Sequence, residues 1–278
     1  MMKTHRYLLA VGPSIVLAVA FLIIPLVFTI IPSFFVPSFS LHFYTDFFAD
    51  SFTRGIFFRS IRLSAITTLI CIAVGLPTSY YISLMKEKKR KIIVSLIMFP
   101  LLTNAVVRGF AWISILGKNG IINQLFLNLH IIDSPLKMLY TDFAIVVGSV
   151  YLFLPVMIST LTSVMEGIGD DVVEAAYSLG SSPMHTFFKV IIPLSFSGLL
   201  VASVMVFSGT ISAYTTPTLL GGNQNMMLAS LLYQQSNTLS NWTNSAVIAF
   251  IMIVVSLGVM KLFNLMASRI DKRGADHV

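Results

Sequence analysis

Charge is scarce in this sequence, and acidic charge scarcest: 10% of the 278 residues are charged, with 11 Asp and Glu against 18 Lys and Arg. A soluble domain of this length needs more polar surface than that. The single Cys71 excludes an intrachain disulfide and a cysteine metal cluster. All five histidines (5, 42, 130, 185 and 277) lie outside the long apolar runs, which removes a buried Ser–His pair and a histidine metal site and argues against a membrane enzyme. No Gly-x-x-x-x-Gly-Lys-Ser/Thr phosphate loop occurs, so any ATPase must be another polypeptide. No Asp or Glu falls clearly inside an apolar run, Asp142 standing only at a boundary, and no inverted repeat with interrupted helices is evident. A secondary transporter or channel, the main alternative for such a chain, usually shows one of these.

Apolar residues make up 56% of the chain. Six runs are long enough to cross ~30 Å of hydrocarbon as helices: about 7–32, 60–85, 92–116, 143–165, 193–216 and 245–267. A backbone facing lipid must satisfy its own hydrogen bonds, and these runs are continuous, unlike the short alternating strands of an outer-membrane barrel. The predicted fold is an all-α polytopic membrane protein, a single transmembrane domain over residues 1–278. The first run follows Lys3 and Arg6 but exceeds a signal-peptide core of ~7 to 15 residues, and it reads as a retained helix.

Positive charge is held on the cytoplasmic side. With the N-terminus inside, that side carries Lys3, Arg6, Lys86, Lys88, Lys89, Arg90, Lys91, Lys189, Arg269, Lys272 and Arg273, against Arg54, Arg59, Lys118 and Lys137 outside. Both termini are therefore expected in the cytoplasm. The net charge of +7 sits in these short clusters and does not call for nucleic acid. Outside, residues 33–59 mix aromatics with Asp46 and Asp50 and suggest a short interfacial helix; the uncharged loop 217–244 has apolar residues at helical spacing and suggests another, tucked against the bundle.

The loop of about 166–193 is composed differently from every other: EGIGDDVVEAAYSLGSSPMHTFFKVIIP. Asp171 is placed to cap a helix whose third position is Glu174, a capping box, with Val172, Val173, Ala176 and Leu179 on one side. Gly180 is predicted to stop it in a left-handed conformation, which costs a residue bearing a β-carbon about 1 kcal/mol or more. Ser182 as N-cap and Pro183 as first helical residue predict a second short helix to about 190, presenting Phe187 and Phe188, and Pro193 is expected to break it before the fifth span. Such a helix pair on the cytoplasmic face suits docking of a partner; an ordinary loop is the plainer reading.

Glu174, Ala175 and Ala176, then Gly180 after three residues and Val190, Ile191, Ile192 and Pro193 after nine more, resemble the "EAA" signature of bacterial ABC importer permeases. Val190 and Ile192 stand where that signature usually has Ile and Leu. The resemblance implies the type I ABC importer permease fold in the bacterial cytoplasmic (inner) membrane. It implies a cytoplasmic coupling helix seated in a groove of an ABC ATPase dimer, with Glu174, Ala175, Ala176 and Gly180 as coupling residues, to which the reading of the helix pair itself adds Phe187 and Phe188 as anchoring aromatics. It also implies a second related permease, an extracytoplasmic solute-binding protein, and ATP and Mg bound by the ATPase, with no cofactor in this chain. Residues 99–112 (FPLLTNAVVRGFAW) and 212–222 (SAYTTPTLLGG) are similar to permeases of polyamine, opine and aminoethylphosphonate importers, most of all the spermidine/putrescine type.

Polar residues within the runs are candidates to line the solute pathway. Arg108 in the third is costly unless it meets water, a carboxylate or backbone carbonyls, so it either faces the pathway or is satisfied structurally. Asn104 and Trp112 lie at similar depth, as do Ser208, Ser212, Tyr214 and Thr215 in the fifth, beside Ser203 and Thr210; interhelical hydrogen bonding is the competing reading. Arg62 and Lys261, near run ends, read as snorkelling cations.

Overall fold

The structure is a computed structural model that describes residues 16, 17, 19–35 and 39–275. Helices carry it, and no strand forms among the described residues. In chain order they are α1 (Val19–Ser33), α2 (His42–Ala49), α3 (Ser51–Ser83), α4 (Glu87–Ile97), the single turn α5 (Phe99–Leu102), α6 (Ala105–Leu116) and α7 (Ile121–Asn128). There follow α8 (Asp142–Glu166), α9 (Asp170–Ser178), α10 (Pro183–Leu194), α11 (Phe196–Ser212), α12 (Thr215–Gly221), α13 (Leu228–Tyr233) and α14 (Trp242–Ala275).

Four stretches are long and apolar enough to cross a bilayer: α3, Ala105–Asn128, α8 and Trp242–Met266 of α14; the bent pair α10–α11 makes a fifth if counted as one. The expected span 7–32 lies partly outside the described residues, α1 being its described part.

Three boundaries differ from the sequence expectation, each for a local reason. α3 starts at Ser51, well before the expected 60, because the Asp50 carboxylate accepts hydrogen bonds from the Phe52 and Thr53 amides at 3.2 and 3.1 Å and caps it. At about 1.5 Å per residue α3 is roughly 50 Å long and overshoots ~30 Å of hydrocarbon.

The expected third span is not continuous: Thr103 and Asn104 are extended, and the helix restarts at Ala105. The break satisfies its own backbone. Asn104 Oδ1 accepts from the Val106 and Val107 amides at 2.9 and 3.4 Å, while Arg108 donates to the carbonyls of Pro100 and Thr103 at 2.9 and 3.3 Å. Pro193, finally, does not break α10. A π turn, in which the Ile192 amide reaches back to the Phe187 carbonyl, carries the helix past the missing proline N–H. The chain turns instead at Ser195, by 71°, and Ser195 Oγ donates to the Ile191 carbonyl at 2.7 Å.

The chain divides into two compact units. In the one formed by Met1–Arg54 and Leu231–Ile253, Phe34 meets Phe250 edge-on at 5.1 Å and Tyr44 at 5.1 Å, and Ser33 Oγ shares a 2.7 Å hydrogen bond with the Tyr44 hydroxyl. The other, Gly55–Ser230 with Val254–Val278, is built around α8. Cys71 of α3, Met157 and Leu161 of α8, and Ala202 and Val206 of α11 form one fully buried cluster; Leu116, Ala144 and Leu220 join α6, α8 and α12 in another. Close packing, not burial from water, holds such helices together. At Gly75 the approach leaves no room for a side chain, since a β-carbon there would stand 2.6 Å from Met157 Cγ.

Candidate functional site

The segment between α8 and α11 folds as two short helices. α9 begins one residue before Asp171, with Gly169 at the N-cap and no side-chain cap, so the expected capping box does not form. Glu174 instead stands exposed in mid-helix. Val173 and Ala176 turn inward, whereas Val172 and Leu179 do not, Leu179 being 88% exposed; the apolar side expected from spacing is divided between bundle and solvent.

The stop at Gly180 forms as expected. Its φ is +82°, and two bonds close the turn, from the Gly180 amide to the Tyr177 carbonyl at 2.9 Å and from the Ser181 amide to the Ala176 carbonyl at 3.0 Å. Ser182 Oγ then accepts from the His185 amide at 3.3 Å and Pro183 opens α10, both as expected.

The two aromatics of α10 part ways. Phe187 packs inward with its ring 5.1 Å from that of Tyr80 on α3, while Phe188 stays exposed, edge-on to Phe187 at 5.2 Å. With Tyr177, Leu179 and Met184, Phe188 gives this face large apolar side chains open to solvent, and Ala175 stands exposed among them. A cleft of about 500 Å³ runs alongside, lined by Pro77, Tyr80, Tyr81, Tyr177, Met184 and Phe187.

The pathway candidates scatter. Asn104 and Arg108 are engaged at the helix break described above. Trp112 sits edge-on to Tyr151 at 5.5 Å, and both line a cavity of about 710 Å³ bordered by Val146, Val150, Arg62 and Asp142. Ser208 and Thr215 are half-buried on α11 and α12, Tyr214 is half-buried in the turn between them and Ser212 is exposed; none of these lines that cavity. Their neighbours Ser203 and Thr210 donate to the carbonyls of Leu199 and Val206 in their own helix, at 2.6 and 2.7 Å, so those two hydroxyls serve packing.

Residues 72–273 match the family described as the binding-protein-dependent transport system inner membrane component. The chain belongs to this family. The permease is similar to the spermidine/putrescine transport system permease protein PotB of Salmonella typhimurium (strain SL1344), 30% identical over 219 residues, 78% of this chain and 76% of that one. The PotB of Escherichia coli (strain K12) is 28% identical over 231 residues, 81% and 84% of the two chains. Among solved structures, a chain of a bacterial ABC transporter involved in the import of the acidic polysaccharide alginate superimposes with a TM-score of 0.78 over 96% of the permease and 97% of that chain, at 14% identity. This likeness shows the fold, an all-α importer permease. Family and fold together make the chain a multi-pass inner-membrane transport subunit.

Two features of the permease escaped the sequence reading. Arg62, whose side chain is largely exposed, has a partner: it pairs with Asp142 at the start of α8, which also meets Arg59 Nε at 3.4 Å. Nothing in the spacing announces a partner eighty positions away. Asn123, fully buried, donates to the carbonyls of Gly117 and Leu136, both at 3.0 Å, and accepts from the Leu136 amide at 2.8 Å, locking the loop after α7.

Proposed function

We propose that this permease forms half of the pathway for a polyamine or a related amine, opine or aminoethylphosphonate, and couples its entry to a separate cytoplasmic ATPase dimer through α9 and α10. The observation that carries the coupling role is the apolar face of those helices, held by a left-handed glycine turn and exposed at Leu179, Met184 and Phe188. Such a surface on a polar side of a membrane protein suits a protein partner. Glu174, Ala175, Ala176 and Gly180 are the residues that seat in the ATPase, with Phe188 as outer anchor and Phe187 as inner one. ATP and Mg belong to the ATPase.

The names of the related permeases support the amine substrate. Asp142, the carboxylate at the start of α8, is already shared by two arginines. The acid that meets an ammonium group therefore comes from a second, related permease, which completes the pathway, and an extracytoplasmic binding protein delivers the solute. Trp112, with Tyr151, is the pathway candidate that best fits a cation, through its ring face. Ser208, Ser212, Tyr214 and Thr215 remain candidates on the basis of depth. Both termini lie in the cytoplasm, supported by the distribution of Lys and Arg.

Purification through a tag on the permease is expected to bring down the ATPase and the second permease, and the assembled complex in liposomes is expected to take up putrescine only with ATP and binding protein. Uptake by the permease without an ATPase would point to a secondary transporter instead. A reporter fused after Glu166 that signals from outside would reverse the orientation and remove the coupling role.

A further inference from the structure

Of the five basic residues at the start of α4, counting Lys86 at its N-cap, Lys86, Lys88, Lys89 and Lys91 are exposed, while Arg90 is partly buried. Orientation in the membrane needs only positive charge beside a span, which lysine supplies as well as arginine. Arg90 is used differently. Its Nε lies 2.8 Å from Glu166 Oε1, and its Nη1 donates to the carbonyls of Ser83 and Met85, each at 3.3 Å.

Ser83 closes α3, Arg90 lies at the start of α4 and Glu166 is the last residue of α8. One guanidinium thus ties three helix ends, using a planar fork that lysine lacks and taking carbonyls that a helix terminus leaves without partners. Only three residues separate Glu166 from the start of α9 at Asp170, so this clasp stands at the root of the docking helices. A second attachment lies one turn before Ser83, where the Tyr80 ring packs tilted against that of Phe187, centroids 5.1 Å apart, in a cleft that Tyr177 also lines. A hollow of about 420 Å³ separates the two attachments, bordered by Arg90, Glu166, Val173 and Ile191.

We propose that Arg90 and Glu166 are positioning residues for energy coupling: their ion pair, seconded by Tyr80, holds the root of the docking helices to α3 and α4. Movement imposed on α9 and α10 then reaches the spans and is not absorbed in the loop. This rests on the coupling role proposed above. Packed side chains and salt-bridge networks between rigid helices can carry coupling between distant sites, and without the clasp Gly167 to Gly169 would be a loose joint in that connection.

The test uses the complete transporter in liposomes and measures putrescine uptake, ATP hydrolysis and the amount of assembled complex. Arg90→Met and Glu166→Gln are expected to lower uptake roughly tenfold while hydrolysis falls less than about twofold, so that more ATP is spent per solute. Arg90→Lys is expected to fall between, keeping the charge but not the fork. The reversed pair, Arg90→Glu with Glu166→Arg, is expected to recover a large part of the uptake lost in either single variant, the signature of a pairwise interaction. Parental uptake by Arg90→Met at normal assembly overturns the proposal. So does a parallel loss of assembly, hydrolysis and uptake that the reversed pair does not restore, which assigns the pair to stability alone. Gly180→Val is run beside them: if it too transports normally, the coupling reading itself fails, whereas if it uncouples and Arg90→Met does not, only the clasp is wrong.

Discussion

Replacing Gly180 by valine isolates the docking turn from the rest of the molecule. A β-carbon built on Gly180 meets no atom within 4 Å, so the effect is conformational and not steric. Holding a residue with a β-carbon at φ +82° costs about 1–2 kcal/mol, and a β-branched one sits toward the upper end of ~1–3 kcal/mol. The chain can escape by rotating φ, but it then forfeits the bonds from Gly180 and Ser181 to Tyr177 and Ala176, worth about 0.5–1.5 kcal/mol each. Either route leaves a local penalty of about 2 kcal/mol, too little to prevent insertion of the spans. Docking is more demanding, because an interface hot spot is worth ~2 kcal/mol or more and a tilted α10 displaces Met184 and Phe188 together. Solute uptake, solute-stimulated ATP hydrolysis and membrane abundance should be measured on the same preparations of Gly180→Asn, Gly180→Ala and Gly180→Val. The expected order of uptake is Asn nearest the parent, then Ala, then Val, since asparagine tolerates the left-handed region. Valine at normal abundance with parental uptake refutes the reasoning.

Glu174→Lys is expected to leave α9 folded, because Glu174 is exposed in mid-helix and caps nothing, yet to abolish ATPase stimulation by reversing charge on the docking face; unchanged stimulation would remove Glu174 from that face. Asn123→Leu strands two carbonyls and an amide in a buried loop and is expected to destabilise the protein by at least about 2 kcal/mol, read as a lower thermal midpoint in detergent. Arg108→Met is expected to lower abundance and leave the KM for uptake unchanged, since its guanidinium serves the carbonyls of Pro100 and Thr103. A raised KM at normal abundance would return Arg108 to the pathway.

The docking segment was the most legible part of the sequence, because its determinants are local. A glycine that must take positive φ, a serine N-cap and a proline at the first helical position act within four residues of one another, and all three are seen at Gly180, Ser182 and Pro183. The start of α9 was misjudged because Gly169, Asp170 and Asp171 are competing N-termini within one turn, and the chain takes the earliest. The break at Thr103 and Asn104 was hidden for another reason: hydropathy averages over a window longer than the break, although Asn104 before an apolar run is itself a capping signal. Arg62 with Asp142, and Arg90 with Glu166, were illegible in principle, since the partners meet only once α3, α4 and α8 have packed.

The turn at Ser195 has a mechanical corollary. Its hydroxyl and its amide both bind the Ile191 carbonyl, at 2.7 and 2.9 Å, so the last turn of α10 is closed right up to the 71° bend and α10 and α11 stand as the two arms of a bell crank. At about 1.5 Å per residue the arms measure roughly 18 and 25 Å. A crank with those proportions would amplify: each ångström of travel at the Pro183 end of α10 would become roughly 1.4 Å at the far end of α11, beside the turn that carries Tyr214 and Thr215. A bend made by a flexible glycine would dissipate such a stroke, whereas a hydrogen-bonded serine turn would pass it on to the far end of α11.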